Sequence, residues 1–392
     1  MYNFDEIIDR RNTDCIKFDF ARERGMPEGL CPLWVADMDF RTPPEVIQRL
    51  TEVVGHGIFG YTETKENYFR ALQSWFDRRF GYEFKPAWLK KTPGVVFALA
   101  AAIRAFSKPR DPVLIQTPVY YPFSGCVKEN DRRLIDSPLV YHNGRYIIDF
   151  DDLEKKIVSF NIRLMLLCSP HNPVSRVWTL DEIKQLGQIC LRHGCVVVSD
   201  EIHCDFVFGG RTHHLFTAVD PAFEEIGVLL TAPSKTFNLA GLQVANALIP
   251  NQALKRLFSA EVSRTGFSQL NTTGLAACRA AYEMGENWLT ELLAYLEGNL
   301  ELTREFFRSE LLPLKLVETE GTYLLWVDFQ PLGLSDQQIN DLVINQAKLW
   351  LDAGTMFGTA GAGFQRINMA CPRSVLKEAL SRLAAAVAAL KK

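Results

Sequence analysis

At 392 residues the chain is longer than one ordinary hydrophobic core supports, so two domains are expected. A hydrophobic content of 47% against 23% charged residues excludes a disordered chain. A formal charge of −3 with no basic cluster excludes an electrostatic footprint for nucleic acid or an anionic membrane, leaving small molecules as the expected partners.

The first residues carry Asp5 and Glu6 where an export signal would carry basic residues, and no apolar core follows them. The longest apolar run, Val95 to Ile103, is too short for a membrane span. Nine cysteines, several inside apolar runs and none at zinc-ligand spacing, read as reduced core residues of a cytoplasmic protein, and no metal is expected.

Residues 1–40 are irregular and end in Leu33-Trp34-Val35-Ala36-Asp37-Met38-Asp39-Phe40, an apolar stretch followed by two acids. Pro43 and Pro44 open a helix over Glu45 to Val54, which Gly55, Gly57 and Gly60 break before Tyr61. The spacing of Phe69, Leu72, Trp75 and Phe76 predicts an amphipathic helix over Glu66 to Phe80.

From residue 90 strands alternate with helices. Thr92-Pro93-Gly94 opens an apolar helix from Val95 to Phe106, and a strand over 112–116 ends at Thr117-Pro118-Val119-Tyr120-Tyr121. A strand from Leu164 to Cys168 ends at Ser169-Pro170-His171-Asn172-Pro173, and Thr179 with Glu182 three residues on forms a capping box for the next helix. The strand Cys195 to Ser199 ends at Asp200-Glu201-Ile202-His203, and Val228 to Leu230 leads to Lys235. Continuous apolar strands between helices predict an α/β fold with a mostly parallel central sheet covered on both faces.

Beyond Pro250 helices dominate: Gln252 to Ser259, Thr272 to Tyr282, and a long one from Glu286 to Ser309. A strand from Gly321 to Val327, a glycine-rich segment over 354–363 that reads as a mobile loop without a phosphate-binding fingerprint, and an alanine-rich terminal helix complete the chain. The division expected is a large domain over 46–285 and a smaller α/β domain over 286–392, joined by the N-terminal segment 1–45.

Ligands of open parallel sheets bind beyond the carboxyl ends of the strands. The residues collected there are Tyr120, Asn172, Asp200, His203 and Lys235, with Gly94 at a helix start. A lysine at the end of a buried strand loses its proton readily and can form a Schiff base with an aldehyde. The set matches the needs of pyridoxal 5′-phosphate. The helix start at Gly94, Val95 and Val96 offers N–H groups to a phosphate. Asp200 is suited to keep a pyridine nitrogen protonated, Asn172 and His203 to donate to a phenolic oxygen, and Tyr120 and Ile202 to cover the ring faces. Taken one at a time, each of these has an ordinary structural explanation: a turn glycine, Asn-Pro turn chemistry, a cap or ion pair for Asp200, a satisfied buried histidine.

The motifs Ser169-Pro170-His171-Asn172-Pro173, Ser199-Asp200-Glu201-Ile202-His203 and Ser234-Lys235-Thr236-Phe237-Asn238 resemble those of the fold-type I pyridoxal-phosphate enzymes of aminotransferase class I/II. Ala36-Asp37-Met38-Asp39-Phe40, Gly57-Ile58-Phe59-Gly60-Tyr61 and Asn368-Met369-Ala370-Cys371-Pro372-Arg373 are more narrowly similar to the MalY/PatB-type cystathionine β-lyases, or C–S lyases. The resemblance implies that Lys235 carries the cofactor aldehyde, Asp200 pairs with the ring nitrogen, Asn172 contacts the phenolic oxygen and Tyr120 stacks on the ring. It also implies that Arg366 clamps the substrate carboxylate. Asn172, Ala36 and Tyr121 are expected beside the substrate, and the apolar and aromatic Trp34, Tyr121 and Phe123 are expected toward the leaving group. A homodimer is implied, with Tyr61 reaching the other subunit's cofactor phosphate.

Four positions depart from the family pattern: Gln243 stands where an arginine is usual, Ala232 where serine is, His203 where tyrosine is, and Ser175 where glycine often is. Thr231 and Ser234 remain as hydroxyl donors to the phosphate. The activity implied is elimination of a thiol from cystathionine or another S-substituted cysteine, leaving pyruvate and ammonia. Two alternatives are an aminotransferase and a cofactor-bound regulatory protein acting through protein contacts.

Overall fold

The computed structural model describes residues 2–311 and 313–390. Its centre is a seven-stranded sheet of β1 (Leu89–Thr92), β2 (Pro112–Ile115), β3 (Arg133–Asp136), β4 (Leu164–Cys168), β5 (Val196–Asp200), β6 (Gly227–Thr231) and β7 (Ala245–Leu248), in the order β1-β7-β6-β5-β4-β2-β3. Only β7 runs against the others.

Successive residues of these strands enter two different cores, which is why their sequences are apolar throughout rather than alternating. Leu164, Leu166 and Cys168 pack with the helix Val95–Phe106 on one face. Met165 and Leu167 pack with Trp75, Phe76, Ile183 and Leu275 on the other. The expected helices Glu66–Phe80, Val95–Phe106 and Glu286–Ser309 are present with those bounds, and both halves of the Thr179–Glu182 capping box form.

A second, four-stranded antiparallel sheet holds Lys315–Leu316, Leu324–Asp328, Phe364–Asn368 and Asp352–Ala353 in that spatial order. The N-terminal segment joins this part of the molecule, Cys31–Pro32 pairing in parallel with Leu349–Trp350. Its continuation, residues 34–40, is a strap held by its backbone. The Asn368 side-chain amide donates to the carbonyls of Val35 and Asp37, both at 2.6 Å, and that of Asn238 donates to Met38 and Phe40, both at 2.9 Å.

Three expectations are corrected. The first helix runs Pro44–His56, straight through Gly55, and stops only at Gly57, whose φ of 73° closes the C-cap. Strands β1, β3 and β7 are absent from the sequence reading. Lys90 and Lys91, the charged ends of β3, and the alanines and Asn246 of β7 lack the β-branched signature. The 354–363 segment is not a loose loop: it forms two single 3-10 turns, and Phe357 accepts the Val119 amide at 3.0 Å. A Cβ on Gly354 would lie 1.9 Å from the Gly361 carbonyl oxygen, so these glycines serve close backbone approach.

Candidate active site

The registers Cys168↔Asp200 and Asp200↔Leu230 bring the carboxyl ends of β4, β5 and β6 level, so the residues that follow them converge. They enclose a cavity of about 150 Å³ whose wall includes Gly94, Tyr120, Asn172, Asp200, His203 and Lys235. Val95, Val96, Ile202, Ser234, Gln243 and Ala36 complete most of it. A larger cavity of about 380 Å³ lies between the N-terminal segment and Trp350, but it contains none of the strand-end residues, and its one buried cation, Lys17, is bound to Asp39 at 2.8 Å.

Lys235 is placed by Pro233, which opens a single helical turn immediately after β6. Thr236 anchors that turn by donating to Asp205 at 2.7 Å, and Lys235 Nζ donates to the Ala36 carbonyl of the strap at 2.7 Å. Burial, only partly offset by Asp37 and Asp200, lowers the amine to about 8. Asp200, the last residue of β5, accepts the Ile202 amide at 3.2 Å, and burial pushes its carboxyl up to about 7 in spite of that bond and of Lys235. His203 is held well below its ordinary pKa by burial and then by the charges of Lys235 and Arg366, so it is neutral. Its Nδ1 is buried without a partner.

Asn172 is fixed at both ends of its residue: its carbonyl accepts the Tyr120 amide at 3.0 Å and its Oδ1 accepts Arg366 NH1 at 3.1 Å. The first bond ties the Tyr120 ring to the Asn172 turn. The helix Val95–Phe106 begins at Gly94 and presents the free N–H groups of its first turn to the cavity.

Other expected residues lie off this wall. Thr231 is buried in the sheet and its hydroxyl donates to the Asn246 carbonyl at 3.4 Å, leaving Ser234 as the hydroxyl at the cavity. Phe123 belongs to the core under the helix Val95–Phe106: it is the second residue of the helix Pro122–Glu129 and is fully buried with the sheet residues Val113 and Ile115. Tyr121 is exposed at the start of that helix, with its ring near Tyr120 and Phe357. Trp34 stacks on Trp350 at 4.5 Å. Tyr61 is 99% exposed and touches nothing in the cavity of its own chain. Arg366 is buried behind Asn172, where it pairs with Asp352 and donates to the Trp34 carbonyl at 2.7 Å.

Several residues escaped the sequence reading. Tyr323, buried beside His203, donates to the same Ala36 carbonyl that Lys235 uses, at 2.9 Å. Cys168 lines the cavity. Asp352, the partner of Arg366, left one signal in the sequence: an acid in the otherwise apolar run Leu349-Trp350-Leu351.

These groups fit pyridoxal phosphate. Asp200 is a buried carboxylate suited to a cationic ring nitrogen, and His203 Nδ1 is an unused polar atom at the wall. Lys235 is an amine able to bond an aldehyde, and the start of the helix Val95–Phe106 suits a phosphate. Both the strand-end constellation and the sheet order are those of a fold-type I enzyme, and residues 30–383 match the aminotransferase class I and II family model. The chain belongs to that family.

Within it, the chain is 40% identical to cystathionine beta-lyase PatB of Bacillus subtilis, over 98% of this chain and 100% of that protein. It is 33% identical to protein MalY of Escherichia coli, over 100% of both. The structure superposes on cystalysin from Treponema denticola, which contains a pyridoxal 5′-phosphate cofactor, with a TM-score of 0.96 and 36% identity over 100% of both chains.

Proposed function

We propose that this protein is a pyridoxal-phosphate-dependent carbon–sulfur β-lyase that cleaves cystathionine or another S-substituted cysteine to a thiol, pyruvate and ammonia. The observation that carries this is the juxtaposition, in one cavity, of a lysine amine lowered to about 8 and a buried carboxyl raised to about 7. The likeness to the curated cystathionine beta-lyase over nearly the whole chain favours elimination over transamination.

Lys235, Asp200, Asn172, Tyr120, His203, Ile202, Ser234 and the helix start at Gly94–Val96 would hold the cofactor. Bound there, pyridoxal phosphate supplies an electron sink for the bond pair released at the substrate Cα. The chain's own groups do the rest. Lys235, partly neutral near pH 7.5 because burial has lowered it, takes the Cα proton. Asp200 keeps positive charge on the ring nitrogen. Arg366 holds the substrate carboxylate and thereby orients the Cα–H bond. Neutral His203 donates or accepts through Nδ1 without adding a charge. The apolar walls, Val95, Val96 and Ile202, keep water from the reacting centre.

The active unit is a homodimer located in the cytoplasm. The exposed Ile58, Phe59 and Tyr61 of one projecting segment support the first, and nine free cysteines support the second. The division at 46–285 and 286–392, with 1–45 attached to the second part, is supported by the pairing of Cys31–Pro32 with Leu349–Trp350.

The test is pyruvate release from cystathionine by the purified holoenzyme with no 2-oxo acid present, scored together with free thiol. Product that appears only when a 2-oxo acid is added would make the protein an aminotransferase. Lys235→Ala should abolish both the visible absorbance of the bound aldehyde and the pyruvate; retention of either refutes the assignment of Lys235.

A further inference from the structure

Arg366, read above as the substrate carboxylate clamp, lies behind Asn172 with most of its hydrogen-bonding capacity already engaged. NH1 donates to Asn172 Oδ1 at 3.1 Å, NH2 donates to the Trp34 carbonyl at 2.7 Å and also to Asp352, and Nε is buried with no partner. Asp352 is directly opposite Arg366 in the antiparallel pairing of their strands, so the ion pair is fixed by backbone register rather than by a flexible reach. Both side chains are almost fully buried, at 3% and 4% exposure, and the guanidinium also lies over the Phe357 ring at 4.9 Å. No carboxylate other than Asp352 forms an ion pair with Arg366 among the described residues.

We propose that Asp352 is a resident counter-ion that sets the affinity of the site for carboxylates, holding Arg366 ready while weakening its grip on substrate and product alike. This rests on the reading that Arg366 receives the substrate carboxylate. A buried guanidinium with no counter-ion is strongly destabilised, and an incoming carboxylate would recover all of that penalty as binding energy. With Asp352 in place the penalty is already relieved, and an incoming carboxylate gains only the unused donors, Nε and the second N–H of NH1. The elimination product keeps the carboxylate of the substrate, so a clamp that binds one tightly binds the other tightly and slows release. A pre-neutralised clamp avoids that trap while still fixing orientation. Burial raises the Asp352 carboxyl and the Arg366 guanidinium opposes that shift, so the pair is what keeps the charge of each tolerable in the interior.

The test compares the holoenzyme with Asp352→Asn and, should that variant fold poorly, Asp352→Ser. Three inhibitors that carry no β-leaving group are used: L-alanine, propionate, which has the carboxylate without the amine, and ethylamine, which has the amine without the carboxylate. Removing Asp352 should tighten L-alanine and propionate about tenfold or more, equivalent to about 1.4 kcal/mol, and leave ethylamine within about twofold. KM for the thioether substrate should fall with kcat, as expected when release of a carboxylate product becomes slower. Unchanged or weaker binding of L-alanine and propionate in a folded variant would overturn the proposal, as would a rise in KM. Arg366→Gln separates the two readings: if it leaves L-alanine affinity unaltered, Arg366 is not the carboxylate site, whatever Asp352 does.

Discussion

Asp200→Asn tests the electrostatic core of the site in two opposite directions. In the protein without cofactor, the Asp200 carboxyl is raised by burial from an ordinary 3.8 to about 7. A carboxyl raised on folding binds its proton more tightly in the native than in the unfolded state. Its favourable contribution is therefore complete below about pH 4 and is lost as pH rises toward about 7. The difference of about 3 pH units is worth roughly 4 kcal/mol at pH 8, taking 1.36 kcal/mol per unit. Asparagine does not titrate, so the apoprotein variant should be more stable than the parent at pH 8 by up to that amount, with the advantage vanishing near pH 4. With cofactor bound in the proposed mode the sign should reverse, because the carboxylate would then face a cationic nitrogen and its removal should cost about 3 kcal/mol or more, a loss of over 100-fold in pyruvate formation. The assay is the thermal midpoint of both apoproteins at several values between pH 4 and pH 8, together with the turnover of both holoenzymes. A stability difference independent of pH, or a variant apoprotein that is less stable at pH 8, would refute the reasoning.

Two further outcomes are expected. Glu320 is fully buried and bonds Arg176 at 2.8 Å, Arg145 at 2.6 Å and the Val177 amide at 3.0 Å, tying residues after β4 to the approach to Leu324–Asp328; Glu320→Gln should lower stability by about 3 kcal/mol. A urea midpoint that moves by less than the equivalent of about 1 kcal/mol at unchanged m would contradict this. Gln243 lines the same cavity as Ser234 and the helix start, so Gln243→Arg should supply a cation to the cofactor phosphate and tighten cofactor binding at least about tenfold by equilibrium dialysis. Unchanged or weaker cofactor affinity would place the phosphate away from residue 243.

The parts of the molecule that could be read from the chain are those whose physics is local. The helix Glu66–Phe80 is fixed by its aromatic spacing and by Gly81, and the strand ends at Asn172, Asp200 and Lys235 follow unmistakable apolar runs. What escaped depends on partners distant in sequence. β7 is a strand because β1 and β6 flank it, not because Ala245-Asn246-Ala247-Leu248 favours one. Thr231 looked like a phosphate donor from its position beside Lys235, yet the period of a strand turns its hydroxyl to Asn246 in β7. Phe123 reads as a wall of the leaving-group pocket, and the helix that begins one residue before it directs it into the core instead. Arg366 was legible as a cation near the end of the chain, while its pairing with Asp352 required a β-register between residues 14 positions apart.

The two poles of the site are therefore built on different energetic principles. At the cofactor pole, burial disfavours the ordinary charge of both Lys235 and Asp200, and neither has an opposite charge bonded to it: the amine rests on the Ala36 carbonyl and the carboxylate on the Ile202 amide. An aldehyde that consumes the amine and a cationic ring that faces the carboxylate relieve both penalties at once, which makes a tightly held, resident group the natural occupant. At the proposed substrate pole, Arg366 and Asp352 have already neutralised each other, so a carboxylate bound there would meet oriented donors without an unbalanced charge behind them. Tight binding belongs where a group must stay, and weak binding where one must leave on every turnover.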